Sequence, residues 1–148
     1  AANFNDIKVN SVPTSTAVAL VPTPTLFSRQ RIVSIEQGTP RTKLVGAVDW
    51  KSGGPGATLR ASYYGDVTQP GSTVAGDSHT GKKTIVDLEG RYQVTRNIGL
   101  AVGANNLFDT YPDPVSIANN STGTVAFPFY SPFGFNGRYL YGRINVTW

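Results

Sequence analysis

The sequence has no cysteine and no methionine, and only 15% of its residues are charged. Without cysteine there is no disulfide framework and no thiolate metal site, and the redox compartment stays open. Low charge combined with 16 Gly and 10 Pro in 148 residues argues against a helical bundle and for many short extended segments joined by turns. No apolar run approaches the roughly 18 to 20 residues of a membrane-spanning helix, a test that says nothing about β-barrels. Lack of Met, and of a basic region followed by an apolar core in "AANFNDIKVN", leads us to expect a processed product or a fragment. The net charge is +4, yet the basic residues are scattered singly apart from Lys82 and Lys83, which is no nucleic-acid footprint. At this length one domain, residues 1–148, is expected.

What is present is alternation. "NFNDIKVN" suits a strand imperfectly, and "SVPTSTAVALVPTPT" with Pro13, Pro22 and Pro24 reads as a long loop. Residues 26–38 fit either a short strand or a turn of helix. From there the period of two sharpens. Leu44, Gly46, Val48 and Trp50 oppose Lys43, Val45, Ala47 and Asp49; Ala57, Leu59, Ala61 and Tyr63 oppose Thr58, Arg60, Ser62 and Tyr64. Val86, Leu88, Gly90, Tyr92 and Val94 oppose Asp87, Glu89, Arg91 and Gln93. Ile98, Leu100, Val102 and Ala104 oppose Gly99, Ala101, Gly103 and Asn105. Leu140, Gly142, Ile144, Val146 and Trp148 oppose Tyr139, Tyr141, Arg143, Asn145 and Thr147.

Short turns at 52–56 and 95–97 alternate with long loops at 10–25, 68–81 and 109–137, so the strands are expected to run up and down with every long connection at one end, as in outer-membrane barrels. Trp50, Tyr92 and Trp148 fall on apolar faces near the short-turn end, where they would form a membrane-interface girdle. Arg60, Asp87, Glu89, Arg91 and Arg143 form the charged, lumen-facing set. A secreted soluble β-sandwich also alternates, and would turn its charged face to water.

Chemistry-bearing candidates are few. Asp87 and Glu89, two apart on one strand face, have a spacing compatible with paired glycosidase carboxylates, but Arg60, Arg91 and Lys43 can balance them as an ordinary wet face. His79 is alone in a polar loop, against the several ligands a metal needs. No nucleophile elbow, phosphate loop or dinucleotide fingerprint occurs. No enzyme activity, cofactor or metal is therefore expected. Phe127, Phe129, Tyr130, Phe133 and Phe135 in "FPFYSPFGF" could line a ligand vestibule, stack on sugar rings, or pack loops together.

"GANNLFDTYPDP" and "SPFGFNGRYLYGRINVTW" resemble the penultimate and last barrel strands of TonB-dependent outer-membrane receptors, the second with its terminal aromatic. "GTPRTKLVGAVDW" is similar to a proline-led strand four before the end, and "VDLEGRYQVTRNIGLAVGANNLFD" to a strand, periplasmic turn and strand. The likeness covers residues 36–148 well and 1–35 loosely. It implies an all-β fold of antiparallel up-and-down strands, about six C-terminal ones of a transmembrane β-barrel of about 22. The plug and TonB box are missing from the sequence. It further implies a wall segment of a receptor in the outer membrane of a Gram-negative bacterium. That receptor would import a scarce nutrient of the siderophore, cobalamin or oligosaccharide class with energy transmitted through TonB. Implied partners are the rest of the barrel and plug, the TonB complex, outer-membrane lipid, and the barrel-assembly machinery, which would read the strand ending at Trp148. The alternatives are a soluble β-sandwich that binds carbohydrate through the aromatic loop, and a fragment that self-associates through open strand edges.

Overall fold

The computed structural model describes residues 1–12, 27–117, 120 and 123–148. The expected loop around Pro13, Pro22 and Pro24 lies outside the described residues. Eight strands form: β1 (Ala2–Phe4), β2 (Thr42–Lys51), β3 (Pro55–Tyr64), β4 (Val67–Gln69), β5 (Ser78–Thr80), β6 (Lys83–Gln93), β7 (Ile98–Asn105) and β8 (Tyr139–Val146). One helix, α1 (Arg29–Gln37), precedes β2. Six strands make one antiparallel sheet in the order β1-β2-β3-β6-β7-β8, and β4 pairs only with β5. The fold is all-β and up-and-down, as the alternation predicts.

Three local readings are made sharper by the structure, which for residues 26–38 takes the helical one of the two alternatives. The first strand is three residues long, although Asn5 still follows its register by donating its N–H to Arg41 O at 2.8 Å. Residues 29–37 are helical, started by Ser28, whose side chain accepts from the Arg31 N–H. The polar loop 68–81 contains the β4–β5 hairpin, held by Thr68 opposite His79.

Register confirms the faces. Through Trp50↔Ala57↔Gly90 and Val48↔Leu59↔Leu88↔Ala104↔Leu140, the apolar residues of five strands lie in rows on one side. Asp49↔Thr58↔Glu89↔Gly103↔Tyr141 makes such a row on the other. No second layer covers the apolar side among the described residues: Val102 is 68% exposed and Ile144 69%. The few buried apolar side chains, Val67, Ala101 and Ala104, do not make a core. A soluble domain rarely leaves a contiguous apolar face this bare, and a two-sheet sandwich is not what these residues form.

Both short connections, 52–54 and 94–97, close the same end of the sheet. Thr95 closes the second by accepting from the N–H groups of Asn97 and Ile98 at 3.2 and 3.1 Å. All long connections leave from the other end, and the motif "NLFD" shows how. Asn106 and Asp109 both adopt positive φ, 52° and 58°, a region where short polar side chains that bond locally are tolerated. Asn106 donates its amide to Thr110 O and accepts from the Thr110 N–H, at 2.8 and 2.9 Å. Its own N–H goes to Asp87 on β6 at 2.9 Å. Asp109 accepts the Arg138 N–H at 2.7 Å just before β8. Gly137, at φ 70°, passes so close to the Tyr111 hydroxyl that a Cβ would lie 2.1 Å from it. The cluster thus ends β7 and aims β8.

Replacing Asn106 by Ala removes both Thr110 bonds and places a Cβ residue without local compensation in the left-handed region, at a cost of about 1–2 kcal/mol. The expected result is faster amide exchange at Thr110 and Arg138, with Asn106→Gly milder than Asn106→Ala; unchanged exchange in both variants would refute this role.

Candidate functional site

The candidate site is the polar face, and its centre is Glu89. This carboxylate is 16% exposed and lies between strands that supply it with donors. The Tyr141 hydroxyl donates to Oε2 at 2.8 Å. Arg143 Nη2 donates to both oxygens, at 3.3 and 3.2 Å, and Arg91 Nε lies 3.8 Å away. Tyr141 and Arg143 are on β8, so they reach Glu89 on β6 across β7. The crossing is possible because β7 presents only Gly99, Ala101 and Gly103 there. A Cβ on Gly103 would sit 2.4 to 2.8 Å from the Tyr141 ring.

Arg91 also pairs with Asp49 on β2, and Asp49 accepts from the Thr58 hydroxyl on β3 at 2.5 Å. Side chains of β2, β3, β6 and β8 are thereby joined in one chain of charge-assisted bonds. Hydrogen bonds to charged groups contribute about 1.5–3 kcal/mol, whereas exposed ion pairs contribute little. The half-buried Tyr141–Glu89 bond outweighs the more exposed Arg143 contact.

Of the predicted lumen set, Glu89, Arg91 and Arg143 meet in this network. Asp87 takes the Asn106 N–H instead, and Arg60, opposite Asp87 in register, forms no ion pair among the described residues. The expected balancing of the two carboxylates by Arg60 and Lys43 is therefore corrected. Lys43 lies over the Tyr64 ring, 5.1 Å from its centroid. Sequence reading missed Tyr141, Asp49 and Gly103. Their signal, a Gly and a Tyr equally placed on the polar faces of β7 and β8, has meaning only once the register is known.

The three girdle candidates lie on the apolar face at staggered levels. Gly90 is level with Trp50 through Ala57, so Tyr92 is two residues farther toward the short turns. Tyr92 is level with Ile144 through Leu100, and Trp148 is four farther; the Thr147 N–H still bonds Asn97 O at 2.9 Å. A strand tilt of about 35–45° levels a stagger of about 1 to 1.5 residues per strand. The advance is about one residue per strand from Trp50 to Tyr92, within that range, and about two per strand from Tyr92 to Trp148, which exceeds it.

The aromatic loop is largely packed on rings. Phe127 stacks on Tyr111 and Phe135, at 5.4 and 6.5 Å, and Phe133 meets Tyr64 at 5.6 Å. Tyr130 joins α1 through Ser34 at 3.1 Å, and Phe129 stays exposed. Two carboxylates tie the loops. Asp77 pairs with Arg29 and accepts the Gly71 N–H at 2.9 Å. Asp113 pairs with Lys83 at 2.6 Å and accepts the Gly81 N–H at 2.7 Å. His79 stands 3.0 Å from the Thr68 hydroxyl.

No protein-family model matches the sequence, and no curated protein is similar to it at a significant level. Solved structures do match in fold. A variant of the ferric enterobactin receptor of Pseudomonas aeruginosa superposes with a TM-score of 0.55 at 19% identity, over 84% of this chain and 19% of that one. The ferric-catecholate import receptor Fiu of E. coli superposes with a TM-score of 0.56 at 22% identity, over 79% of this chain and 16% of that one. The chain thus spans less than a fifth of the length of the structures it matches, and the likeness is one of fold: the antiparallel sheet is built as part of the wall of such receptors is built.

The Arg29 guanidinium, and then the Gly71 N–H, hold the Asp77 carboxyl below its ordinary value of 3.8. Lys83, and then the Gly81 N–H, do the same for Asp113. A depressed folded value means that these ties contribute fully above the unfolded value and are lost as pH falls through the folded one. Limited proteolysis of loops 65–82 and 106–138 should therefore stay constant from neutral pH down to about 4 and accelerate only below the ordinary carboxylate range. Asp77→Asn should raise cleavage at neutral pH; wild-type cleavage that already rises near pH 6 would contradict the assignment.

Proposed function

We propose that this chain is a wall segment of a TonB-dependent receptor in the outer membrane of a Gram-negative bacterium, the C-terminal part of a barrel of about 22 strands. The observation that carries the reading is the single-layer sheet itself, with one face bare and apolar and the other cross-linked by ion pairs. Such a sheet is complete only between lipid and a wet interior. Strands of 8 to 11 residues in β2, β3, β6, β7 and β8 fit the roughly 9 to 11 residues that a tilted strand needs to cross.

In this reading Leu100, Val102, Ile144 and Val146 face lipid. Arg60, Asp87, Glu89, Arg91 and Arg143 face the lumen and plug, and Trp50, Tyr92 and Trp148 mark the periplasmic interface. The segment performs no bond chemistry. Its parent imports a ferric siderophore, the class bound by the receptors whose fold it shares; cobalamin and oligosaccharides have no such support. Phe129 and its neighbours belong to the external loops, and TonB acts through the plug, outside this segment. The sheet's open edges, β1 and β8, pair with the remaining wall, since an unpaired edge in hydrocarbon costs several kcal/mol per group.

These residues hold no cysteine of their own, so single cysteines, introduced with any in the rest of the receptor replaced, test the faces. In the complete receptor in membranes, cysteines at Val102 and Ile144 should react with a lipid-soluble maleimide and resist a small water-soluble thiosulfonate, with Val45 and Arg60 the reverse. Equal aqueous reactivity of both faces in a soluble protein would sink the reading in favour of a sugar-binding module. Separately, Trp148→Ser should lower the receptor's level in the outer membrane with synthesis unchanged, and normal levels would count against a role for Trp148 in assembly.

A further inference from the structure

The register of β8 is not set by a turn. β7 and β8 are joined by residues 106–138, whereas the short connections at 52–54 and 94–97 constrain β2–β3 and β6–β7 directly. Face chemistry excludes odd shifts of β8, since a one-residue slip would turn Arg143 to the apolar side. It does not exclude a shift by two. Leu140, Gly142, Ile144 and Val146 are all apolar, and Tyr139 precedes Tyr141 in the same phase. Something else must discriminate these registers.

We propose that Tyr141, seated over Gly103 and bonded to Glu89, is the register lock of the last strand, a positioning device that rests on the wall reading above. Three observations carry it. The ring occupies the space that a Cβ at residue 103 would take, so the seat exists only opposite a glycine. The neighbouring inward residue of β7 is Ala101, 4% exposed, whose Cβ denies the same seat two residues away. The hydroxyl ends 2.8 Å from Glu89 on the strand beyond, so the lock measures β8 against β6 as well as β7. Arg143 reaches the same carboxylate and is carried away from it, opposite Gly99, by the shift of two that brings Tyr139 opposite Gly103. The Asp109–Arg138 and Asn97–Thr147 bonds tie the two exposed ends of the ladder, while the lock acts in its middle.

Without Tyr141, the alternative that restores a ring to the seat places Tyr139 opposite Gly103, which brings Gly142 opposite Leu100. The slip therefore has a predicted direction. In the native register Leu100 faces Ile144. The backbone bond from the Thr147 N–H to Asn97 O marks the adjoining Asn97–Thr147 pair as a hydrogen-bonded one, which makes every second pair, Leu100–Ile144 among them, non-hydrogen-bonded, with Cβ atoms close enough to bridge.

The experiment uses the complete receptor assembled in the outer membrane. It carries either L100C with I144C, which reports the native register, or L100C with G142C, which reports the slip. Cross-linking under a mild oxidant is read by mass. With Tyr141 present only the native pair should bridge. Y141A should raise the slipped-to-native ratio by about tenfold, the equilibrium value of one hydrogen bond to a charged group. Should Y141A not accumulate, Y141F carries the test: it keeps the ring and loses the Glu89 bond, and must shift the ratio in the same direction by less. An unchanged ratio in the variants that accumulate overturns the lock alone. No native bridge in the parent overturns both the lock and the wall reading.

Discussion

Everything in this molecule depends on one constraint: a single hydrogen-bonded sheet must satisfy its backbone without help from a second layer. An antiparallel ladder does so for β3, β6 and β7, each of which has two neighbours along most of its length, while β2 has β1 beside it only at Thr42–Leu44. What remains is the disposal of side chains, and a period of two offers only two faces. One collects Val48, Leu59, Leu88, Val102 and Ile144; the other collects nearly all the charge carried by these strands. Burial in the sheet is confined to small residues such as Ala101 and Ala104, because no other described residues form a layer over its apolar face.

On the polar face the same constraint creates a problem of lateral cohesion, since no core holds neighbouring strands at fixed angles. Glu89 answers it. It is inward enough to favour fixed donors over water, and it accepts from two side chains of β8 at once because the intervening β7 is nearly bare of side chains. Arg91 then carries the connection to Asp49 and Thr58. Removing bulk from one strand is thus what lets charge act across three. Arg60, unpaired among the described residues, stands apart from this network, and the wall reading gives it a place against whatever fills the lumen.

The long-loop end follows different rules. There α1, the β4–β5 hairpin and the aromatic loop are joined by Asp77, Asp113, Ser34–Tyr130 and stacked rings. These contacts, ion pairs, a hydroxyl bond and ring stacks between residues far apart in sequence, hold the loops together while leaving Phe129 at the surface. The "NLFD" turn divides the two regimes: Asn106 ends the ladder with its side chain, and Asp109 restarts it thirty residues later by receiving Arg138.

Fold class, strand bounds and the membership of each face were legible in the sequence, because a two-residue period is a property of the chain itself and needs no partner to be read. Loop asymmetry was legible for the same reason: turn chemistry at "SGGPG" and "TRN" is local. The helix at Arg29–Gln37 and the hairpin inside loop 68–81 were not, since short elements among polar residues owe their existence to contacts such as Arg29–Asp77 that join distant positions. Tertiary structure alone decided which charges meet. Arg60 and Asp87 are opposite in register yet unpaired, while Glu89 is claimed from 52 residues away by Tyr141. Alternation assigns a residue to a side of the sheet, but only the register, and the missing Cβ of Gly103, determine how far across it a side chain can reach.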